Sequence, residues 1–154
     1  LAGRAADGVV LSAGACVEFL RWCLEQVKAD GVAENFRSHA FVYAAVADAA
    51  AAPYDRVRRP LAVTLRGRHP TRHIEMAGNH LDPDAIVRAL ASGDAGLAES
   101  AIGKPIVESQ AAEGTPGMFV ARIADYRDAG MDNIVLASIR TPAQIDTVLS
   151  AANG

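Results

Sequence analysis

The sequence predicts an α/β fold in which the strands of a parallel sheet alternate with helices. Three short apolar stretches, 8–11, 39–47 and 133–137, have the length and composition of buried strands, and a stretch with helical spacing follows each one. The middle stretch is continuously apolar, as is typical of a strand covered on both faces in a parallel sheet. This alternation predicts right-handed crossover units.

The composition favours one folded domain. The chain has 154 residues, and 51% of them are hydrophobic, so it can bury a sizeable core. Its formal net charge of -3 offers no basic face for nucleic acid or an anionic membrane, and we expect neither as a partner. The longest apolar stretch, 40–53, contains Asp48 and ends at Pro53, which makes it too short and too interrupted to span a bilayer.

The two cysteines are predicted to be free thiols. Cys16 and Cys23 lie on one face of a predicted helix but roughly 10 Å apart along its axis, too far for a disulfide. Unpaired thiols are typical of a reducing compartment, so we expect burial of both and a cytoplasmic location.

The first half of the chain is predicted to hold two strand–helix units. The strand over 8–11 precedes a helix over 15–29, and the strand over 39–47 leads into a helix over 48–66. The first helix has an apolar stripe made of Val17, Leu20, Leu24 and Val27. Gly31 is expected to end this helix. The second helix is expected to begin at its cap, Asp48, and to end at Gly67. Two prolines within it, Pro53 and Pro60, are expected to kink it.

Helix signals also dominate the second half. Between residues 69 and 102 we expect short helices, the clearest capped by Asp82, opened by Pro83 and ended at Ser92-Gly93. A longer helix is expected from Thr115-Pro116 to Gly130, with four inward residues: Phe119, Val120, Ile123 and Tyr126.

The last strand, 133–137, is followed by a predicted capping box. Thr141, Pro142 and Gln144 have the spacing of this motif. In it the threonine hydroxyl accepts a hydrogen bond from the backbone N–H of the glutamine, and the glutamine side chain accepts one from the backbone N–H of the threonine. Three residues are expected to dock the final helix: Ile145, Val148 and Leu149.

Three segments resemble the luciferase-like monooxygenases, in particular the deazaflavin-dependent reductases related to methylenetetrahydromethanopterin reductase. "LAGRAADGVVLSAG" is similar to the A-G-x-x-A-D-G-V segment that supplies the sixth strand of that family's barrel. "FVYAAVAD" resembles the seventh strand with its closing acidic residue, Asp48. "GTPGMFVARIADYRDAGMDNIVL" is similar to the G-T-P-E-E helix and the eighth strand, although Gly117 and Met118 replace the acidic residues.

The resemblance implies that residues 1–154 form a single partial domain, the C-terminal half of a TIM (β/α)8 barrel. A complete barrel needs about 250 residues. We therefore expect the chain to begin at the helix before the sixth strand and to depend on a missing N-terminal half or on a homo-oligomer. The complete protein would use FMN or a deazaflavin coenzyme to exchange hydride with a small organic substrate, and the isolated fragment would be inactive.

Active sites of such barrels lie at the carboxyl ends of the strands. Ser12, Ala13 and Gly14 are the candidate cofactor-binding residues, because small residues before a helix let backbone N–H groups approach a phosphate. They also suit a plain tight turn. Ser138 and Arg140 are the candidate substrate-binding residues. The Arg140 guanidinium could bind a phosphate or carboxylate, or it could equally form a surface ion pair. No catalytic residue is assigned.

Basic residues are scattered along the chain except in one segment, which contains Arg66, Arg68, His69, Arg72 and His73. This basic segment either binds an anion or is simply solvated. The four-residue spacing of its histidines, with His80 beyond, is that of some zinc sites, but Pro70 disturbs the helix that such a site needs, and we predict no metal. Asp48 is interpreted as a helix cap rather than a catalytic acid. Trp22 and Phe19 are interpreted as core residues.

Two other functions stay open. One is a non-catalytic half-barrel that serves as a binding or assembly module, since open strand edges need a partner. The other is an unrelated α/β enzyme for a phosphorylated small molecule, with Arg140 as its anion clamp. No Walker loop, dinucleotide glycine motif or C-x-x-C is present to favour another class.

Overall fold

The computed structural model describes residues 2–29, 31–47, 51–67 and 71–153. It contains one sheet of four parallel strands: β1 (Gly8–Leu11), β2 (Arg37–Val46), β3 (Ala111–Gly114) and β4 (Asn133–Ala137). The helices of these described residues are α1 (Ala2–Ala5), α2 (Val17–Lys28), α3 (Ala51–Leu65), α4 (Thr71–Met76), α5 (Pro83–Ala91), α6 (Ala95–Ser100), α7 (Lys104–Gln110), α8 (Pro116–Asp128) and α9 (Pro142–Asn153). The predicted parallel α/β architecture is confirmed.

Strand β2 is the centre of the sheet. Strand β1 pairs with its first four residues, β4 with its middle five and β3 with its last four. Because Ala40 has register partners in both β1 and β4, these two strands flank opposite edges of β2. Tyr43 has partners in both β4 and β3, so β3 continues the edge that β1 begins.

The strands predicted at 8–11 and 133–137 are confirmed, and the middle strand is shifted by up to two residues. Strand β3 is absent from the sequence-based prediction. Its residues, "AAEG", contain none of the β-branched or aromatic side chains that favour strands. The contacts that β3 makes with β2 therefore determine its conformation.

Two hydrophobic clusters cover the two faces of the sheet. Side chains alternate along β2, so Ala40, Val42 and Ala44 face one cluster while Ala45 faces the other. The first cluster is completed by side chains of α2, which include Leu20, and by side chains of α8 and α9. The second is completed by α3 to α7. The second cluster contacts its face of the sheet at Tyr43, Ala45 and Ala111, and that part of the sheet is the middle layer of three.

Helix α2 begins after Cys16, not at Ala15 as predicted. Cys16 is the N-cap, and its Sγ accepts a hydrogen bond from the Phe19 N–H at 3.4 Å. Cys16 is buried, Cys23 is half-buried, and both are free thiols. Of the predicted stripe, Val27 is only half-buried.

Helix α3 continues past Pro60 to Leu65, so this proline does not end it. The proposed cap, Asp48, lies outside the described residues. Helix α5 has the predicted ends: the Asp82 carboxylate accepts from two backbone N–H groups, and Ser92 is the C-cap. None of the helices in the described part of the chain is both long and apolar enough to cross a membrane.

Three residues predicted to be buried are exposed. On α8, Phe119 and Tyr126 are buried as expected, but Val120 is 41% exposed. On α9, Val148 is buried, whereas Ile145 and Leu149 are among the exposed large hydrophobic residues. These faces are solvent-accessible because no element in the described ranges packs over them.

Candidate functional site

The carboxyl ends of the parallel strands meet at one edge of the sheet, which is where the candidate residues lie. Ser12 follows β1 and Ser138 follows β4, on either side of β2. Two strand spacings separate these segments by roughly 10 Å. Strand β4 also runs three residues farther along β2, from the level of Ala40 to that of Tyr43, which adds roughly 10 Å in the strand direction. Any single ligand that touches both segments is therefore elongated.

The loop after β1 differs from residue to residue. Ser12 is exposed, Ala13 is half-buried and Gly14 is buried. Gly14 has a φ of +77°, and a Cβ added there would lie 3.3 Å from Cγ2 of Thr64 on α3. Glycine is thus needed for the turn and for its contact with α3. Ser12 and Ala13 are the residues of this loop that stay accessible to a ligand.

A buried histidine holds this loop in place. Nδ1 of His73 lies 3.2 Å from Oε1 of Gln110, and the backbone of Gly14 is close enough to affect the pKa of the ring. The Cys16 thiol donates to the His73 carbonyl oxygen at 3.1 Å. Burial lowers the pKa of His73, and the interactions with Gln110 and Gly14 partly oppose that shift. His73 therefore connects α4, α7 and the loop after β1.

The structure separates the members of the basic segment. Arg68 and His69 lie outside the described residues. The Arg72 guanidinium stacks over the Trp22 ring, 3.8 Å from its centroid, while His73 is buried. Within the described ranges no three His, Cys, Asp or Glu side chains are placed to hold a metal ion. Of its described members, Arg72 thus makes a cation–π contact and His73 is a buried anchor.

The segment after β4 has a strained residue at its start. Ser138 has a φ of 70°, the only non-glycine residue in the described ranges with a positive φ. Such a conformation is unfavourable for a residue with a Cβ and is often found at functional sites. The predicted capping box is confirmed next to it: Gln144 Oε1 accepts from the N–H groups of Arg140 and Thr141, at 2.7 and 3.1 Å. The α9 cap thus fixes the backbone that carries Arg140.

Ser138 and Arg140 line an open cleft between α3 and the segment before α9. The same cleft is lined by Arg56 and Arg59 of α3 and by Tyr43 of β2. Acidic groups are present as well, since Arg59 Nε lies 3.9 Å from a carboxylate oxygen of α6. Three guanidinium groups can bind an anionic group by charge-assisted hydrogen bonds. Sequence analysis missed the α3 arginines, although their three-residue spacing places both on one helical face.

A buried carboxylate was also missed. Glu113 of β3 is only 6% exposed, and its Oε2 has no hydrogen-bond partner among the described residues. Burial raises the pKa of Glu113 and the negative charge of Glu108 raises it further, while the positive charge of Lys104 partly opposes the shift. The signal in the sequence was an acidic residue within the short apolar stretch that precedes the G-T-P cap.

The molecule is thus a parallel α/β protein with polar residues after the two strands, β1 and β4, that flank β2. The coenzyme F420-dependent tetrahydromethanopterin reductase from Methanopyrus kandleri has a similar structure, with a TM-score of 0.79 and 19% identity. The match covers 97% of this chain and 45% of the reductase, so the chain spans less than half of that protein.

A riboflavin lyase, solved with modified FMN and its substrate riboflavin, also matches, with a TM-score of 0.56 and 16% identity. That match covers 99% of this chain and 39% of the lyase. No protein-family model and no curated protein matches the sequence. At 19% and 16% identity the two matches show the fold alone, and that fold agrees with the one that the three sequence segments predicted.

Proposed function

We propose that this chain is the C-terminal part of the TIM barrel of a luciferase-like oxidoreductase that uses a flavin or a deazaflavin. The observation that carries the proposal is the match of 97% of the chain to an F420-dependent reductase at a TM-score of 0.79. The three segments with family-like sequence lie on β1, β2 and the α8–β4 unit, which are neighbours in the sheet. In the barrel these strands would be the sixth, seventh and eighth.

The loop after β1 suits the phosphate of such a cofactor. Ser12 and Ala13 have small side chains and are accessible, and they precede the N-terminus of α2, whose backbone dipole favours an anion. The constrained turn at Gly14 and the contacts of His73 would keep the loop in this conformation. The cofactor, FMN or a deazaflavin, would supply the hydride chemistry. This part of the chain would bind and orient it.

The cleft after β4 suits an anionic part of the substrate. Arg140, Arg56 and Arg59 would attract and orient a carboxylate or phosphate, and Ser138 would contact it at the end of β4. None of these groups is assigned a proton-transfer role. The matched structures carry more than half of their length outside the region shared with this chain, so the isolated fragment would be inactive.

The test is a titration of the complete protein with FMN and with a deazaflavin coenzyme, followed by cofactor fluorescence. Ser12→Asp places a carboxylate beside the phosphate and should weaken binding by about tenfold or more. Ser150→Asp, on the exposed side of α9, is the matched control and should bind as the unmodified protein does. If the complete protein binds neither cofactor, the proposal is wrong.

A second function, an assembly module, is favoured by an exposed apolar part of the sheet. Val10 of β1, Phe41 of β2 and Val135 of β4 share one face and are 60%, 43% and 39% exposed. A sheet face of this kind is stable when another polypeptide covers it, either a second copy or a missing N-terminal half. Sedimentation equilibrium of the chain alone should show association that Phe41→Glu weakens. A monomer with cooperative unfolding would contradict this function.

A further inference from the structure

A groove between α7 and α8 contains a carboxylate that nothing in the proposed oxidoreductase site uses. It is lined by Glu113 of β3, Glu108 of α7 and residues of α8 that include Asp125. We propose that this groove binds a small organic monocation, an ammonium or guanidinium group on an aliphatic stem, with Glu113 as the anionic partner. The groove is separate from the cleft of Arg140, with which it shares no lining residue.

Glu113 has unsatisfied binding capacity. Its side chain is almost fully buried, and Oε2 finds no hydrogen-bond donor in the described part of the chain. A buried carboxylate without a donor or cation is strongly unfavourable, so a cationic group that reached Oε2 would satisfy it. The burial that raises the pKa of Glu113 also strengthens its attraction for a cation that enters the groove.

The other charges of the groove already have partners. Lys104 Nζ lies 3.4 Å from Glu108 Oε1, and Arg122 Nη1 lies 3.4 Å from Asp125 Oδ2. Arg122 also donates from Nη2 to the Glu108 carbonyl oxygen. Of the three groove carboxylates, Glu113 is the one without an ion pair among the described residues. One positive charge is therefore the charge that the groove lacks.

The remaining lining favours an organic cation over a metal ion. Ala111, Met118 and Ala121 supply apolar surface beside the carboxylates, which suits an aliphatic stem. Met118 lies close to the end of β3, since a Cβ at Gly114 would come within 2.9 Å of its sulfur. No group of three acidic, histidine or cysteine ligands in the described residues is arranged for a metal. A primary amine or guanidine with a short alkyl chain meets both requirements.

The test uses n-butylguanidinium and n-butylammonium as probes and n-butanol as the neutral analogue. Calorimetric titration of the complete protein should show saturable binding of both cations with a Kd of about millimolar, and no binding of n-butanol. Glu113→Gln should weaken cation binding by about tenfold or more. Glu34→Gln, an exposed position on the loop before β2, removes the same charge elsewhere and should leave the Kd unchanged.

A second measurement does not depend on the folding of the Glu113 variant. In the unmodified protein, the carboxyl carbon of Glu113 is followed by NMR as the pH changes, with and without n-butylguanidinium. The cation should lower the midpoint of this titration, because it binds the ionised carboxylate. An unchanged midpoint, binding of n-butanol as tight as that of the cations, or a folded Glu113→Gln variant that binds them normally would each overturn the proposal.

Discussion

Ser38 and Asp132 join the amino ends of β2 and β4. The Asp132 carboxylate accepts hydrogen bonds from the N–H and the hydroxyl of Ser38, at 2.7 and 2.8 Å. The Asp132 N–H in turn donates to the Ser38 carbonyl oxygen at 3.0 Å. Ser38 is buried, so its backbone N–H depends on this acceptor. The pair fixes the register of two strands that are far apart in sequence.

Asp132→Ala should therefore lower the free energy of unfolding by about 1–3 kcal/mol, since it leaves the buried N–H of Ser38 without this acceptor. Urea denaturation measures the loss. Asp128→Ala, on the exposed last turn of α8, is the control and should change stability by less than about 0.5 kcal/mol. Equal effects of the two substitutions would contradict the role of the pair.

The same hydrogen bonds from Ser38 lower the pKa of Asp132. A carboxyl whose pKa is lower in the folded state stabilises the fold fully above its unfolded value, about pH 4, and the contribution is lost as the pH falls through the folded value. The stability difference between the unmodified protein and Asp132→Ala should thus shrink below about pH 4. A difference that stays constant with pH would exclude the linkage.

His73 should make stability depend on pH in a higher window. Burial lowers the pKa of His73, so its neutral form stabilises the fold above the unfolded value of about 6.5, and that contribution is lost as the pH falls through the folded pKa. His73→Gln should flatten the decline of unfolding free energy from about pH 7 to pH 5. His80→Gln, at an exposed position, should keep the decline of the unmodified protein.

Leu61 and Val63 test which face of α3 is packed. Leu61 is fully buried against the sheet, whereas Val63 is exposed two residues later. Leu61→Ala should cost about 2–5 kcal/mol of stability by creating a cavity, while Val63→Ala should stay within about 0.5 kcal/mol. Chemical denaturation distinguishes the two. A small loss for Leu61→Ala would mean that α3 does not pack on the sheet as described.

Ser138→Gly should stabilise the protein by about 0.5–1 kcal/mol, because glycine adopts a φ of 70° without steric penalty. Thermal unfolding measures the gain. Ser150→Gly, in the exposed part of α9, should instead destabilise it by a similar amount. Destabilisation by Ser138→Gly would show that the hydroxyl contributes more than the strained backbone costs.

Local patterns in the sequence predicted the elements whose determinants are local. The caps at Asp82 and Thr115 depend on side chains within three residues of the backbone they bind, and both are confirmed. Burial was less predictable, because Val120 fits an apolar stripe yet faces no neighbour in the described structure. Strand β3 and its carboxylate, Glu113, depend on pairing with a strand about 70 residues earlier, which no short window contains.

The candidate site, too, was predictable from the sequence only where its residues directly follow a predicted strand. The residues after β1 and β4 follow from the rule for parallel strands, and the structure places them at the expected edge of the sheet. The roles assigned to Ser12, Ala13, Gly14, Ser138 and Arg140 stay predictions. Arg56 and the anchor His73 come from helices outside these strand ends, and only the fold brings them to the same region.

The central position of β2 also has a kinetic consequence. Strands β1, β3 and β4 each pair with β2, so no pair of outer strands can form a stable nucleus before β2 is ordered. Pairings between segments so distant in sequence make folding slow, because loop closure precedes any gain in contact energy. Substitutions in β2 should therefore mainly retard folding, whereas those in β4 should mainly accelerate unfolding, and the two limbs of a chevron plot would separate them.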